Sequence, residues 1–236
     1  MTSAITAPAS KTAEPENRSS LTLADSAYEQ LRVDILAGRY PAGSKLAIHS
    51  LREHYQIGAS PLREALNRLT ADGFVSLIGQ RGFRVTPVSL ADLRDVTRLR
   101  IFFETEALRD SIACGNDEWE AGIVSAYHRL SKIDATRYND LAGWETRNAA
   151  FHDALVAACP SPRLLQFRQN LYDQHKRYRS LSTTSMVGSR DIPGEHREMM
   201  ALTLARDAGR ACALVATHIR ATAELLEAVL AEKGEA

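Results

Sequence analysis

From Ser89 to the C-terminal tail, apolar side chains recur at helical spacing, broken only at Gly115-Asn116, Tyr138-Asn139, Pro160-Ser161-Pro162, Gly188 and Pro193-Gly194. This rhythm leaves no room for a sheet in the larger part of the chain. It predicts helices over about 90–114, 117–135, 139–159, 161–185, 191–206 and 208–232. Helices joined by such short connections pack as an antiparallel bundle.

The segment before Ser89 has a different rhythm. A first helix runs through Tyr28, Leu31, Ile35 and Leu36, capped by Asp25 or Ser26 and stopped at Gly38. A second spans about Ile48 to Tyr55. After the tight turn at Gln56–Ala59 comes a third, capped by Ser60, with Pro61 in its first position and Asp72-Gly73 at its end. Phe74–Ile78 and Phe83–Val88 then alternate like strands around the turn Gly79-Gln80-Arg81-Gly82. Helix, helix, turn, helix and a two-stranded wing make a winged helix-turn-helix. The expected protein is therefore mainly α: a disordered tail at 1–22, a winged helix-turn-helix at 23–88, an all-helical domain at 89–232 and a short tail at 233–236.

The formal net charge is zero, so any affinity for nucleic acid must come from local pattern and not from a global basic field. Cys114, Cys159 and Cys212 are odd in number, far apart and set in Ala-rich helical runs. They read as reduced thiols filling a core, not as a disulfide framework or a zinc site. No stretch reaches the roughly 18 to 20 apolar residues of a membrane span, and the first residues lack the apolar block of a signal peptide. A cytoplasmic protein is expected.

In a helix-turn-helix the third helix enters the major groove N-terminus first. That places Ser60, Pro61 and Arg63 at the base edges, with Arg63 suited to a bidentate pair with guanine or to a phosphate. Arg68, Arg52 and Arg32 are candidates for the DNA backbone, and Arg81 with Gly82 at the wing tip for the minor groove. From spacing alone these arginines are equally ordinary solvated positions on a hairpin and two helices.

In the helical part, Asn148 and His152 lie four residues apart and share one helix face. His196 follows the Pro193-Gly194 break, and His218 sits in the last helix. Three imidazoles and an amide oxygen suit an open site for Zn, Ni, Mn or Fe. Spacing alone leaves separately satisfied histidines as the alternative. Arg100, four residues before Glu104, is either one arm of a surface ion pair or a guanidinium turned inward. Tyr172 and Arg179 are further pocket candidates. His54, His128 and His175 read as surface or locally hydrogen-bonded residues, and Trp119 and Trp144 as core.

The run from Tyr28 to Val85, with GRYPAGSKL (38–46), SPLREALNRL (60–69), ADGFV (71–75) and RGFRV (81–85), resembles the DNA-binding domain of GntR-family regulators. The segment from about Leu90 to Leu230 resembles the FCD ligand-binding domain of their FadR-type branch. It carries LRIFFETEALRDSIA (99–113), Phe151-His152, SPRLL (161–165), EHREMM (195–200) and AGRACALVATHIR (208–220). The resemblance implies a metal held at Asn148, His152, His196 and His218, and Arg100 directed at a carboxylate effector.

Three positions depart from the pattern. Many members carry an arginine where this chain has Ala59, a basic residue where it has His49, and an acid where it has Asn148. His49 is retained as a DNA-facing candidate. The implied function is a homodimeric regulator, a repressor by default. It binds double-stranded operator DNA and is released by a small carboxylate, with a short dicarboxylate such as glutarate suggested by the overall similarity. The competing readings are a metal-free anion sensor, a purely dimerising helical domain, and a metal-dependent enzyme. The last lacks a placed general base.

Overall fold

We describe the chain from a computed structural model covering residues 22–79, 82–134, 140–180 and 190–232. It opens on α1 (Leu23–Leu36), β1 (Lys45–Leu46), α2 (Ile48–Tyr55), α3 (Ala59–Ala71), β2 (Val75–Leu77) and β3 (Phe83–Val85). Leu31, Ile35, Leu62, Leu66, Leu69 and Phe74 close one apolar core among these elements. The sheet is three-stranded in the order β1-β3-β2, with Leu46 opposite Phe83 on one side and Val75 opposite Val85 on the other. A two-residue strand has no alternation to read, which is why sequence showed only the wing pair.

Two helix starts differ from expectation. Thr22, not Asp25 or Ser26, caps α1: its hydroxyl accepts from the Asp25 amide, and the Asp25 carboxylate accepts from the Thr22 amide in return. α3 is capped by Gly58, not Ser60, because Gln56 is left-handed (φ 54°) and Gly58 extended, so helical geometry begins at Ala59. Pro61 therefore occupies the third position, where its missing N–H still removes no intrahelical bond.

The larger part is α4 (Leu90–Cys114), α5 (Asp117–Asp134), α6 (Leu141–Leu155), α7 (Pro162–Ser180), α8 (Ile192–Leu204) and α9 (Ala208–Glu232). Ser89 caps α4 by accepting from the Asp92 amide, and Gly115 ends it. α6 stops short of Cys159 because Val156 leaves helical geometry and the chain tightens into three-residue turns before Pro160. The C-terminal reach expected for α7, residues 181–185, lies outside the described residues, as do the turn residues Gln80 and Arg81.

α4 packs on α7 and α9, α5 on α6 and α8, and α8 on α9. Leu108, Ile123, Leu130, Phe151, Met199 and Ile219 lie in their common core. Trp119 and Trp144 are buried as expected, their indole N–H groups donating to the Ala154 carbonyl and to Asp134. Cys159 and Cys212 are buried, but Cys114, in the last turn of α4, is exposed: its side chain faces away from the apolar stripe.

The N-terminal elements join the bundle through α7. The last turn of α3 is held there: Gln174 donates to the Asp72 carbonyl at 3.0 Å, and Asn170 to both the Asp72 carbonyl and its carboxylate. Arg177 donates to the carbonyls of Thr86 and Pro87. Gly73 has φ +82°, and a Cβ there would stand 3.1 Å from the Gln174 amide. Gly73→Ala is expected to destabilise this junction by about 1–2 kcal/mol from the backbone alone. The check is amide exchange in α3 and α7, where protection unchanged from the parent would show that the contact carries no stability.

Candidate metal and effector centre and DNA-reading face

Five helices of the bundle converge on a polar interior. α6 supplies Asn148 and His152 on one face, α8 supplies His196 and α9 supplies His218, all buried. One ring nitrogen from each histidine lies within 4.8 Å of the others, and ring centroids are 5.1 to 5.6 Å apart. Phe151 packs against His196 at 5.3 Å and gives the cluster an apolar wall.

The polar atoms sort by sign. Among the described residues, neither ring nitrogen of His152 nor the Asn148 carbonyl oxygen has a hydrogen-bond partner. A neutral imidazole keeps one lone pair and one N–H, so His152 and the Asn148 oxygen each offer a lone pair to a cation. The Asn148 amide nitrogen donates to the Tyr172 hydroxyl at 3.2 Å, which turns the oxygen away from that ring. The Glu195 carboxylate takes the Nδ1 hydrogen of His218 at 2.7 Å, leaving Nε2 as the free lone pair. Arg190 grips Glu195 from the other side through two nitrogens. Burial pushes the Glu195 carboxyl up, but these bonds carry it down to about 2. Burial, reinforced by its two imidazole neighbours, holds His152 well below the usual histidine range. Burial also lowers His218. His152 and His218, both held below the usual histidine range, stand with His196 and the Asn148 oxygen in a buried donor set that fits a divalent transition metal.

Beside this cluster lies a cationic one. Arg100, Arg168 and Arg179 stand around the Tyr172 ring at 4.6, 5.2 and 5.2 Å. Two have full counter-ions: Arg168 is bidentate on Glu104 and Arg179 on Glu145. Among the described residues, Arg100 has none at bonding distance. Its Nε is 3.9 Å from Glu104 and makes no hydrogen bond, and burial draws its pKa down to about 10. Its Nη1 faces His175 Nδ1 at 2.8 Å, with Arg179 at 3.3 Å from the same atom. Burial and these two guanidiniums hold His175 neutral, so Nδ1 accepts and Nε2 carries a proton with no acceptor. Unpaired buried N–H groups on Arg100 and His175 are the complement of a small anion.

Several expectations change here. Arg100 is not an arm of a surface pair, because both it and Glu104 are buried. His175 is interior, whereas His54 and His128 are exposed. Tyr172 and Arg179 are interior too. Glu104, Arg168, Glu145 and Glu195 were missed as site residues. The available signal was α7 itself: Arg168, Tyr172, His175 and Arg179 form a polar stripe at helical spacing in a helix with little apolar surface.

On the DNA side, His49, Arg52, Ser60 and Arg63 are exposed and Pro61 is half-buried. Gly82 is left-handed at φ +115°, and Arg81 lies outside the described residues. His49 stands 3.5 Å from Glu53. Two backbone candidates are engaged within the chain. Arg32 pairs with Asp173 of α7, because α1 packs on that helix. Arg68 pairs with Asp25 at 2.6 Å and lies over the Tyr28 ring, fastening α3 to α1.

Residues 23–85 match the bacterial regulatory proteins of the gntR family, and residues 95–221 match the FCD domain. The chain is 42% identical over 205 residues to the HTH-type transcriptional regulator BphR of Paraburkholderia xenovorans (strain LB400), covering 85% of this chain and 84% of that one. It is 35% identical over 210 residues to the HTH-type transcriptional repressor GlaR of Escherichia coli (strain K12), covering 86% and 96%. McbR/YncC of E. coli shares the fold, with a TM-score of 0.75 and 18% identity over 88% of this chain and 98% of that chain.

A winged helix in front of a helical domain of this kind defines a DNA-binding transcriptional regulator, not an enzyme. The chain belongs to the GntR family, in the group that carries an FCD domain. Among the described residues no helix is long and apolar enough to cross a membrane.

Proposed function

We propose that the protein is a homodimeric repressor that binds a pseudo-palindromic operator and is released by a small carboxylate held at a metal-containing centre. The observation that carries the reading is the sign-sorted polar interior: open lone pairs on His152 and Asn148 beside open N–H groups on Arg100 and His175. The first set would hold a divalent transition metal (Zn, Ni, Mn or Fe) together with His196 and His218. A bound metal supplies positive charge and open coordination positions for a carboxylate. Arg100 then presents a guanidinium to the same ligand. The name of GlaR supports repression as the sign.

Control of DNA binding requires only that the effector prefer one arrangement of bundle and winged helix. α7 supplies the connection. Arg168, Tyr172, His175 and Arg179 face the polar interior, while Asn170, Asp173, Gln174 and Arg177 hold the winged helix. A second reading, direct anion binding without a metal, draws on the same unpaired N–H groups. A purely dimerising bundle has no use for buried polar atoms left open at about 1–3 kcal/mol each.

The test uses duplexes selected from a random-sequence pool by the protein itself and a panel of short mono- and dicarboxylates. Carboxylates that raise the melting temperature of the parent should weaken its hold on the selected duplex. Arg100→Ala should bind the duplex as the parent does and ignore the same carboxylates. A variant still released by them removes Arg100 from the effector site.

A further inference from the structure

The dimer of the proposed function needs a surface, and we infer that it is the solvent face of α4, packed antiparallel on the α4 of a second copy about a two-fold axis at Phe102. The inference rests on the homodimer reading and adds the interface to it. Phe102 is the midpoint of α4 (Leu90–Cys114), and its side chain is 58% exposed. Phe103 stacks edge-on against it at 5.4 Å and reaches Phe167 of α7 at 5.8 Å. Phe167 is itself 55% exposed. Three neighbouring aromatic rings, two of them more than half exposed, are a costly thing to leave in water at the centre of a long helix.

The charges around Phe102 identify the occupant. At the α-helical turn of about 100° per residue, Asp95, Arg98, Glu106 and Arg109 all lie within roughly 40° of Phe102 on the helix face. In an isologous antiparallel pair, residues equally far from the axis on opposite sides meet, and each contact occurs twice. Arg98 then meets Glu106 of the second copy, and Asp95 meets Arg109. Both are attractive, and Leu99 falls opposite Thr105 between them. A face that is its own electrostatic complement about its midpoint fits a second copy of this chain.

Within one chain these four charges are spent on exposed i,i+3 pairs, Arg98 with Asp95 and Arg109 with Glu106. Such pairs hold little energy and exchange freely for pairs across an interface. The other sides of α4 are taken by α7 and α9, so among the described residues this face is the one left over.

Sedimentation equilibrium on the full chain, free of DNA, tests the assignment. Phe102→Glu should raise the dimer dissociation constant roughly 30-fold or more, the scale of a central aromatic anchor. Arg98→Glu alone should weaken the dimer, and Arg98→Glu combined with Glu106→Arg should return it toward the parent. The two positions are about 12 Å apart along one helix, so recovery can arise only between copies. A parent dimer that survives Phe102→Glu unchanged, with no coupling between positions 98 and 106, overturns the α4 interface and leaves the homodimer reading intact. A parent that is monomeric at every concentration removes both. Circular dichroism on each variant confirms that the helices are retained.

Discussion

Purified with no added chelator, the parent should carry about one transition metal per chain, and the His152→Ala/His196→Ala variant close to none. This is the largest effect expected for any pair of side chains here, since two of three imidazole ligands disappear and only His218 and the weak Asn148 amide oxygen remain. Elemental mass spectrometry reads it directly. Thermal melting reads it again, because a ligand that binds only the folded state raises the transition by mass action, and the variant should gain nothing from added Zn or Ni. Asn148→Asp should act in the opposite direction: a carboxylate in place of the amide adds a charge to a neutral donor set. A parent that stays metal-free in excess Zn and Ni would turn the centre into a direct anion site, with Arg100 and His175 as its recognisable donors.

The second large effect concerns stability. Glu104 sits buried between Arg168, bidentate at 2.8 and 3.1 Å, Arg100 at 3.9 Å and His152 at 4.0 Å. Glu104→Gln keeps the volume and removes the charge, leaving two guanidiniums in a low-dielectric interior with only Asp153 still on Arg168. Breaking a buried pair in this way costs about 3–5 kcal/mol. Both tryptophans of the chain, Trp119 and Trp144, lie in the bundle, so their fluorescence during urea unfolding reports on it and not on the winged helix. A loss below about 1 kcal/mol would show that Glu104 does not carry the counter-charge of this interior.

Local rules read much of this fold. The bounds of α2 and α4 were legible because Tyr55 precedes a tight turn and because Ser89 and Gly115 are good stops at either end of a periodic run. The three histidines and Asn148 were legible as a set only through family resemblance, since residues on three helices share no spacing. What sequence could not show were partners contributed by other elements. Arg32 looks like a phosphate ligand until α1 packs on α7 and Asp173 takes it. His175 looks like a surface histidine until the bundle closes and places it between two arginines. Glu195 stands next to His196 in sequence yet bonds His218, because its neighbour's side chain leaves the helix in a different direction.

α7 also constrains how such a regulator can change. Its sensor-facing and winged-helix-facing residues interleave along the same stretch of about three turns, so their relative bearing is fixed by helical phase alone. One inserted or deleted residue between Tyr172 and Gln174 would swing everything beyond it by about 100° against everything before it, splitting the sensor-facing and the winged-helix-facing sets alike. New effector preferences can therefore arise by exchanging side chains along this helix, whereas its register is frozen. A chimera between two regulators of this design would work only if the splice preserved that count.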